Sequence, residues 1–232
     1  MTEISRRGLL ASAAVAGGAM LLGSAVNAQS GAKAVPSTYE VQPLPFDPAK
    51  LKGISEKLIV SHHDKNYASA VKRLGAIQDK IVQLPADAAP FQMGSLKREF
   101  LIAMNSMISH EYYFENLGGD GKIGGDIKTA LAKEFGSVEA WEHDFKLTGL
   151  SLGGGSGWVV LAYSPRDKKL FNVWSSDHQV SLVAGTPILV MDMYEHAYQM
   201  DYGADAKAYI DAFFSNINWQ KADRRLSGLK LG

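Results

Sequence analysis

Cysteine is missing from all 232 residues of the chain. No disulfide framework, thiolate nucleophile or cysteine-ligated zinc site can form, so any bound metal must be held by histidine and carboxylate. Net charge is missing as well, because Lys+Arg and Asp+Glu both number 24. A balanced chain advertises no field for nucleic acid or an anionic membrane, and neither is expected as a partner. Internal repeats and low-complexity tracts are absent beyond the N-terminal leader. Histidine is scarce: only His62, His63, His110, His143, His178 and His196 occur.

What is present begins with that leader. "SRRGLL" opens a weakly hydrophobic, Ala/Gly-rich run from Gly8 to Val26, and "VNA" at 26–28 supplies small residues before a cut. Arg6 and Arg7 resemble the twin-arginine export type, which carries proteins already folded. Residues 1–28 therefore read as a signal peptide and the mature protein as exported, in a bacterium to the periplasm. An uncleaved anchor is the alternative for so short an apolar run. After cleavage no membrane association is expected.

Residues 29–53 hold Pro36, Pro43, Pro45 and Pro48 and read as an extended arm. Helical periodicity then covers about 55–83, Pro85 and Pro90 interrupt it, and a second helix is predicted over about 95–116, ending at Gly118 and Gly119. Two long helices joined by a short loop form an antiparallel hairpin, so residues 29–120 make an arm plus hairpin. "LGGDGKIGGD" has G-x-G-x-x-G spacing but follows a helix rather than a strand, which rules out a dinucleotide cradle. Helices are predicted over 125–135 and 137–150. From Trp158 the period becomes two: "WVVLAYS", "KLFNVWSS" and "PILVMDMY" are β-branched and aromatic, and "AKAYIDAFFSNINW" returns to helical spacing. The fold class is α+β, with the hairpin followed by an α/β domain over 121–232 that contains a three-stranded antiparallel sheet.

The histidines carry the chemistry. Leu58, His62, Asn66, Ala70, Leu74, Ile77 and Ile81 follow at steps of four or three, so His62 points into the core and His63, about 100° round, points elsewhere. His110 shares an inward face with Ala103, Met107 and Phe114 on the second helix, so the two imidazoles can meet across the hairpin. Asp192 and His196 stand four apart in "VMDMYEHAY" and converge if the chain turns helically there. Three imidazoles and one carboxylate suit iron, manganese or zinc with a position left open for solvent. On spacing alone, scattered core histidines explain the pattern equally well.

"HHDK", a later helix histidine, "GSGW" at 155–158, "DHQ" at 177–179 and "DMYEHAY" at 192–198 occur in the order found in the iron/manganese superoxide dismutase family. "VQPLPFDPAKL" at 41–51 resembles that family's N-terminal arm, and the similarity spans about 38–225. The resemblance implies one iron or manganese ion per subunit at His62, His110, Asp192 and His196, converting superoxide to dioxygen and hydrogen peroxide. Zinc is then excluded, since the metal must cycle between two charges. His178 matches the position that hydrogen-bonds the metal-bound solvent, and histidine rather than glutamine there favours iron. Glu195 matches a glutamate that bridges to a ligand histidine of a partner, implying a homodimer through Glu195 and His196.

The resemblance also marks departures. Asn66 stands where the family has histidine, Ala70 where it has the gate tyrosine, and Tyr194 where it has tryptophan, while Trp158 keeps its place in "GSGW". Ser109 and Gln199 replace an asparagine and a tyrosine, and "GADAKAYI" lacks the family's paired arginines. Tyr67, one step off the stripe, is a candidate to stand in at the gate. Two other functions follow from an altered approach: a metal-binding stress protein with little turnover, or another iron-dependent redox enzyme.

Overall fold

The computed structural model describes residues 39–229. The segment predicted as a signal peptide and the first part of the arm lie outside the described residues. Among the described residues, no helix is long and apolar enough to cross a membrane.

The arm reaches the first helix, α1 (Glu56–Ser61), whose N-cap Ser55 accepts a hydrogen bond from the Leu58 N–H at 3.1 Å. The helix predicted over 55–83 is not uniform. It passes through a π-helical segment (His62–Tyr67) before continuing as α2 (Ala68–Val82). Within the segment the Ala68 N–H reaches back five residues to the His63 carbonyl, so the wider turn brings position i+5, not i+4, beneath position i. Tyr67 thereby replaces Asn66 under His62. Tyr67 is buried, Asn66 only half-buried, and His63, expected to point elsewhere, is buried as well.

The second helix, α3 (Pro90–Glu115), begins five residues earlier than predicted. Pro90 opens it rather than blocking it, because the first turn needs no N–H from that position. It packs antiparallel to α2, giving the hairpin. Helices α4 (Gly125–Phe135) and α5 (Val138–Leu150) follow, the latter capped by Ser137. The Gly-rich loop before α4 lies against the link between the last two helices: a Cβ on Gly119 would stand 2.2 Å from the Ile217 carbonyl oxygen. Close backbone approach is what these glycines permit, not phosphate binding.

The sheet has the order β2-β1-β3, built from β1 (Trp158–Ser164), β2 (Lys169–Ser175) and β3 (Thr186–Asp192), all antiparallel. β1 is central and almost wholly buried, while β2 lies at an edge and is buried mainly at Leu170 and Ser175. The β1–β3 register sets Trp158 directly beside Asp192. A 3-10 turn (Glu195–Ala197), α6 (Gln199–Tyr202), α7 (Ala206–Ser215) and α8 (Trp219–Ser227) complete the chain. Hairpin and sheet residues share one core, including Leu58, Leu74, Trp141, Phe145, Val159, Leu189 and Phe213. Truncating an aromatic such as Trp141 to alanine would cost about 3–5 kcal/mol.

Candidate metal centre

The four residues proposed as ligands meet at one place. One donor atom each from His62, His110, Asp192 and His196 lies within 4.8 Å of every other. Asp192 Oδ2 stands 3.1 Å from His62 Nε2, 3.3 Å from His196 Nε2 and 3.7 Å from His110 Nε2. None of these contacts has hydrogen-bond geometry, and all four atoms are buried without a partner. Burying so many unsatisfied polar atoms is costly unless they share a cation. Donors each about 2.1 Å from one ion sit roughly 3–4 Å apart, so the set fits a metal.

Each donor is aimed by a second contact. His110 Nδ1 donates to the Ser106 carbonyl at 2.7 Å, one turn back on α3, which leaves the Nε2 lone pair facing the cluster. Asp192 Oδ1 accepts the Tyr194 N–H at 2.8 Å, so Oδ2 is the oxygen left for the site. The Asp192 main-chain carbonyl accepts from Tyr209 Oη at 2.7 Å, fixing the strand end. The 3-10 turn after β3 then brings His196 back over Asp192.

Electrostatics separates the donors. Burial pushes His62 down and His110 to about 3, so both imidazoles stay neutral at neutral pH. Burial would raise Asp192, yet His196 and His62 beside it hold the carboxyl far below the usual carboxylate range. His196 is raised: burial opposes its charge, and the Asp192 carboxylate outweighs burial.

His178 lies beside this cluster, its ring centroid 6.4 Å from that of His110. Trp158 Nε1–H donates to His178 Nδ1 at 3.0 Å. An indole nitrogen can only donate, so Nδ1 accepts and the His178 proton sits on Nε2. Burial lowers His178 and keeps it neutral in that tautomer. Tyr194 stacks on His178 at 4.7 Å and on His196 at 5.3 Å, forming one layer of three rings.

The remaining predicted residues divide. Asn66 and Ala70 line a cavity together with His110, His178 and His196. Tyr67 is not among the residues lining that cavity. Its hydroxyl donates to Glu111 Oε1 at 2.9 Å and accepts the Gln42 N–H at 2.9 Å, and burial first, then Glu111, pushes it up to about 12. Glu195 is exposed and His143 lies at the surface. Sequence reasoning missed Gln42, whose carbonyl lies 2.8 Å from His63 Nε2, so the arm clamps the π-helical segment from both sides. The ring of Tyr113 also lies 5.1 Å from that of His62. No spacing rule reveals these contacts, since they join residues distant in sequence.

Residues 123–225 match the family model for the C-terminal domain of iron/manganese superoxide dismutases. An iron superoxide dismutase of Cupriavidus metallidurans is 56% identical over 190 residues, covering 82% of this chain and 96% of that protein. Two more distant relatives are each 30% identical. One is a manganese superoxide dismutase of Halobacterium salinarum, covering 79% of this chain and 92% of the relative. The other is a Mn/Fe superoxide dismutase of Aeropyrum pernix, covering 81% and 90%. The chain belongs to the iron/manganese superoxide dismutase family.

Proposed function

We propose that the protein disproportionates superoxide to dioxygen and hydrogen peroxide, with iron as its native metal. One observation carries the reading: four buried donors without partners converge within 4.8 Å in an N₃O set. When bound, the metal supplies the one-electron cycling that accepts an electron from one superoxide and returns it to another. The chain's residues do the rest. Asp192 offsets part of the metal charge, and the neutral imidazoles leave the site's charge low enough to change by one. His178 presents its Nε2 proton for a hydrogen bond to solvent or anion, in a tautomer set by Trp158.

The test uses one preparation for two measurements: metal content, and superoxide consumption per metal ion. Stoichiometric metal with no dismutation would favour the metal-binding or alternative redox reading. Absence of metal at every loading condition would remove the site itself. Iron is supported by histidine at position 178 and by the name of the Cupriavidus relative. Protein purified from its own host with manganese alone would overturn that preference.

The homodimer belongs to the same proposal. Glu195 is exposed and adjacent to His196, whose side chain is 27% exposed, so both can meet a second copy. A reciprocal Glu195-to-His196 bond under two-fold symmetry would form twice, once from each copy to the other. Sedimentation of Glu195→Ala should show weakened association, and a fully active wild-type monomer would refute the dimer. Export rests on Arg6, Arg7 and the "VNA" site. Replacing both arginines by lysine should trap the protein in the cytoplasm, and unchanged fractionation would sink the assignment.

A further inference from the structure

A cavity of about 330 Å³ adjoins the imidazole cluster. Its lining includes His110, His178 and His196 and, from α2, Ala70 and Arg73. No carboxylate lines this space, and its exposed members include two cations, Lys65 and Arg73. Ala70 and Arg73 are three residues apart, so they lie on the same face of α2, with Arg73 the farther from the π-helical segment. Ala70 contributes only a methyl group to this lining.

Arg73 is held by a neighbour. Its guanidinium pairs with Glu99 Oε2 of α3, while Arg98 Nη1 reaches Glu99 Oε1 at 3.4 Å. Glu99 thus has a second cation and is not left unpaired when Arg73 departs. The Arg73 side chain is 54% exposed, and exposed ion pairs of this kind are weak enough to open thermally. Lys65 offers a compact, strongly hydrated point charge. Arg73 offers a planar fork that matches a small anion with two acceptor ends.

We propose that Arg73 is an anion-positioning residue, latched by Glu99 and released into the cavity to pair with the small anion bound for the metal. This rests on the dismutase reading for the identity of that anion as superoxide, but the geometry serves any small linear anion.

The experiment titrates azide into metal-loaded wild-type protein, Arg73→Gln, Arg73→Lys and Glu99→Gln, alongside the ionic-strength dependence of superoxide turnover. Metal content and melting temperature are recorded for each. Arg73→Gln should weaken azide binding roughly 3–10-fold and flatten the salt dependence of kcat/KM. Arg73→Lys should restore the salt dependence without restoring azide affinity, because charge returns and the fork does not. Glu99→Gln should tighten azide by roughly threefold, since it removes the competing carboxylate.

Unchanged azide affinity and salt dependence in fully loaded Arg73→Gln would overturn the assignment. Should Arg73→Gln fail to fold or load, Glu99→Gln decides: azide affinity equal to or below wild type would count against the latch. The two readings fail separately. Azide binding that depends on Arg73 in a protein without dismutation removes the dismutase reading and keeps Arg73, whereas full dismutation with azide indifferent to Arg73 does the reverse.

Discussion

The hairpin places His62 and His110 from within long helices, whereas the C-terminal half delivers Asp192 and His196 from a strand end and a single 3-10 turn. His62 and His110 are each 1% exposed, and burial depresses both. His196 is more open and is drawn the other way by the carboxylate four residues before it. One half contributes neutral donors at the cost of desolvation, and the other contributes the charge and the more exposed donor. Both halves border the cavity beside the donors, the hairpin through Asn66, Ala70 and His110 and the C-terminal half through His178 and His196.

The strongest way to break that contrast is to remove the charge. Asp192→Asn should lower metal affinity by more than about 100-fold, beyond the roughly 10–100-fold typical of residues that only orient a ligand. His196→Gln should cost less, because the dry pair and Asp192 survive. Metal analysis after dialysis against a chelator ranks the two, and equal losses would erase the distinction between charge and access.

Acid probes the dry pair next. A histidine whose folded pKa is depressed takes up a proton on unfolding, so metal-stripped protein should lose stability as pH falls below about 6.5. For His110 the loss should continue to near 3, its folded value. Each such group contributes about 1.4 kcal/mol per pH unit inside its window. Urea unfolding at pH 7 and pH 5 should differ by a few kcal/mol, and His110→Gln should reduce the difference.

Trp158→Phe tests the C-terminal half with a smaller effect. Removing the indole N–H frees the His178 tautomer, and turnover should fall about 10–100-fold with an altered pH profile while metal content holds. Unchanged turnover and profile would show that the Trp158 bond does not set the proton's position.

The smallest change is expected far from the site, where Lys146 bonds Asp211 at 2.8 Å on the surface. Lys146 lowers the Asp211 carboxyl, so the pair stabilises above the ordinary aspartate pKa and less as pH falls through it. Asp211 is 48% exposed, so screening reduces the benefit, and Asp211→Asn should shift stability by less than about 0.5 kcal/mol.

The sequence made the donors legible because each lies on a periodic element. His62 and His110 could be placed by helical stripes, and Asp192 and His196 by their separation of four, even though that separation is bridged by a strand end and a 3-10 turn. The α+β order was legible for the same reason, through the change of period at Trp158. What could not be seen was the π-helical segment. A stripe counted at 3.6 residues per turn assigns Asn66 to the face that Tyr67 occupies and sends His63 outward, because nothing in "HHDKNY" announces a wider turn. The Gln42 clamp and the Arg73–Glu99 pair were hidden too, as both join residues distant in sequence.

That wider turn has a consequence for insertions and deletions. A π turn is an α-helix carrying one residue too many, so removing a single residue between His63 and Asn66 would let the helix close normally. The retained ends would keep facing the same way, because Tyr67 would then stand four residues after His62 and still lie beneath it. Loss of one residue between Tyr67 and Ala70, in the regular helix, would instead turn the ends by about 100° and part His62 from the wall bearing Ala70 and Arg73. A one-residue gap in a relative would therefore leave the donor face intact in the first stretch and rebuild the entrance in the second.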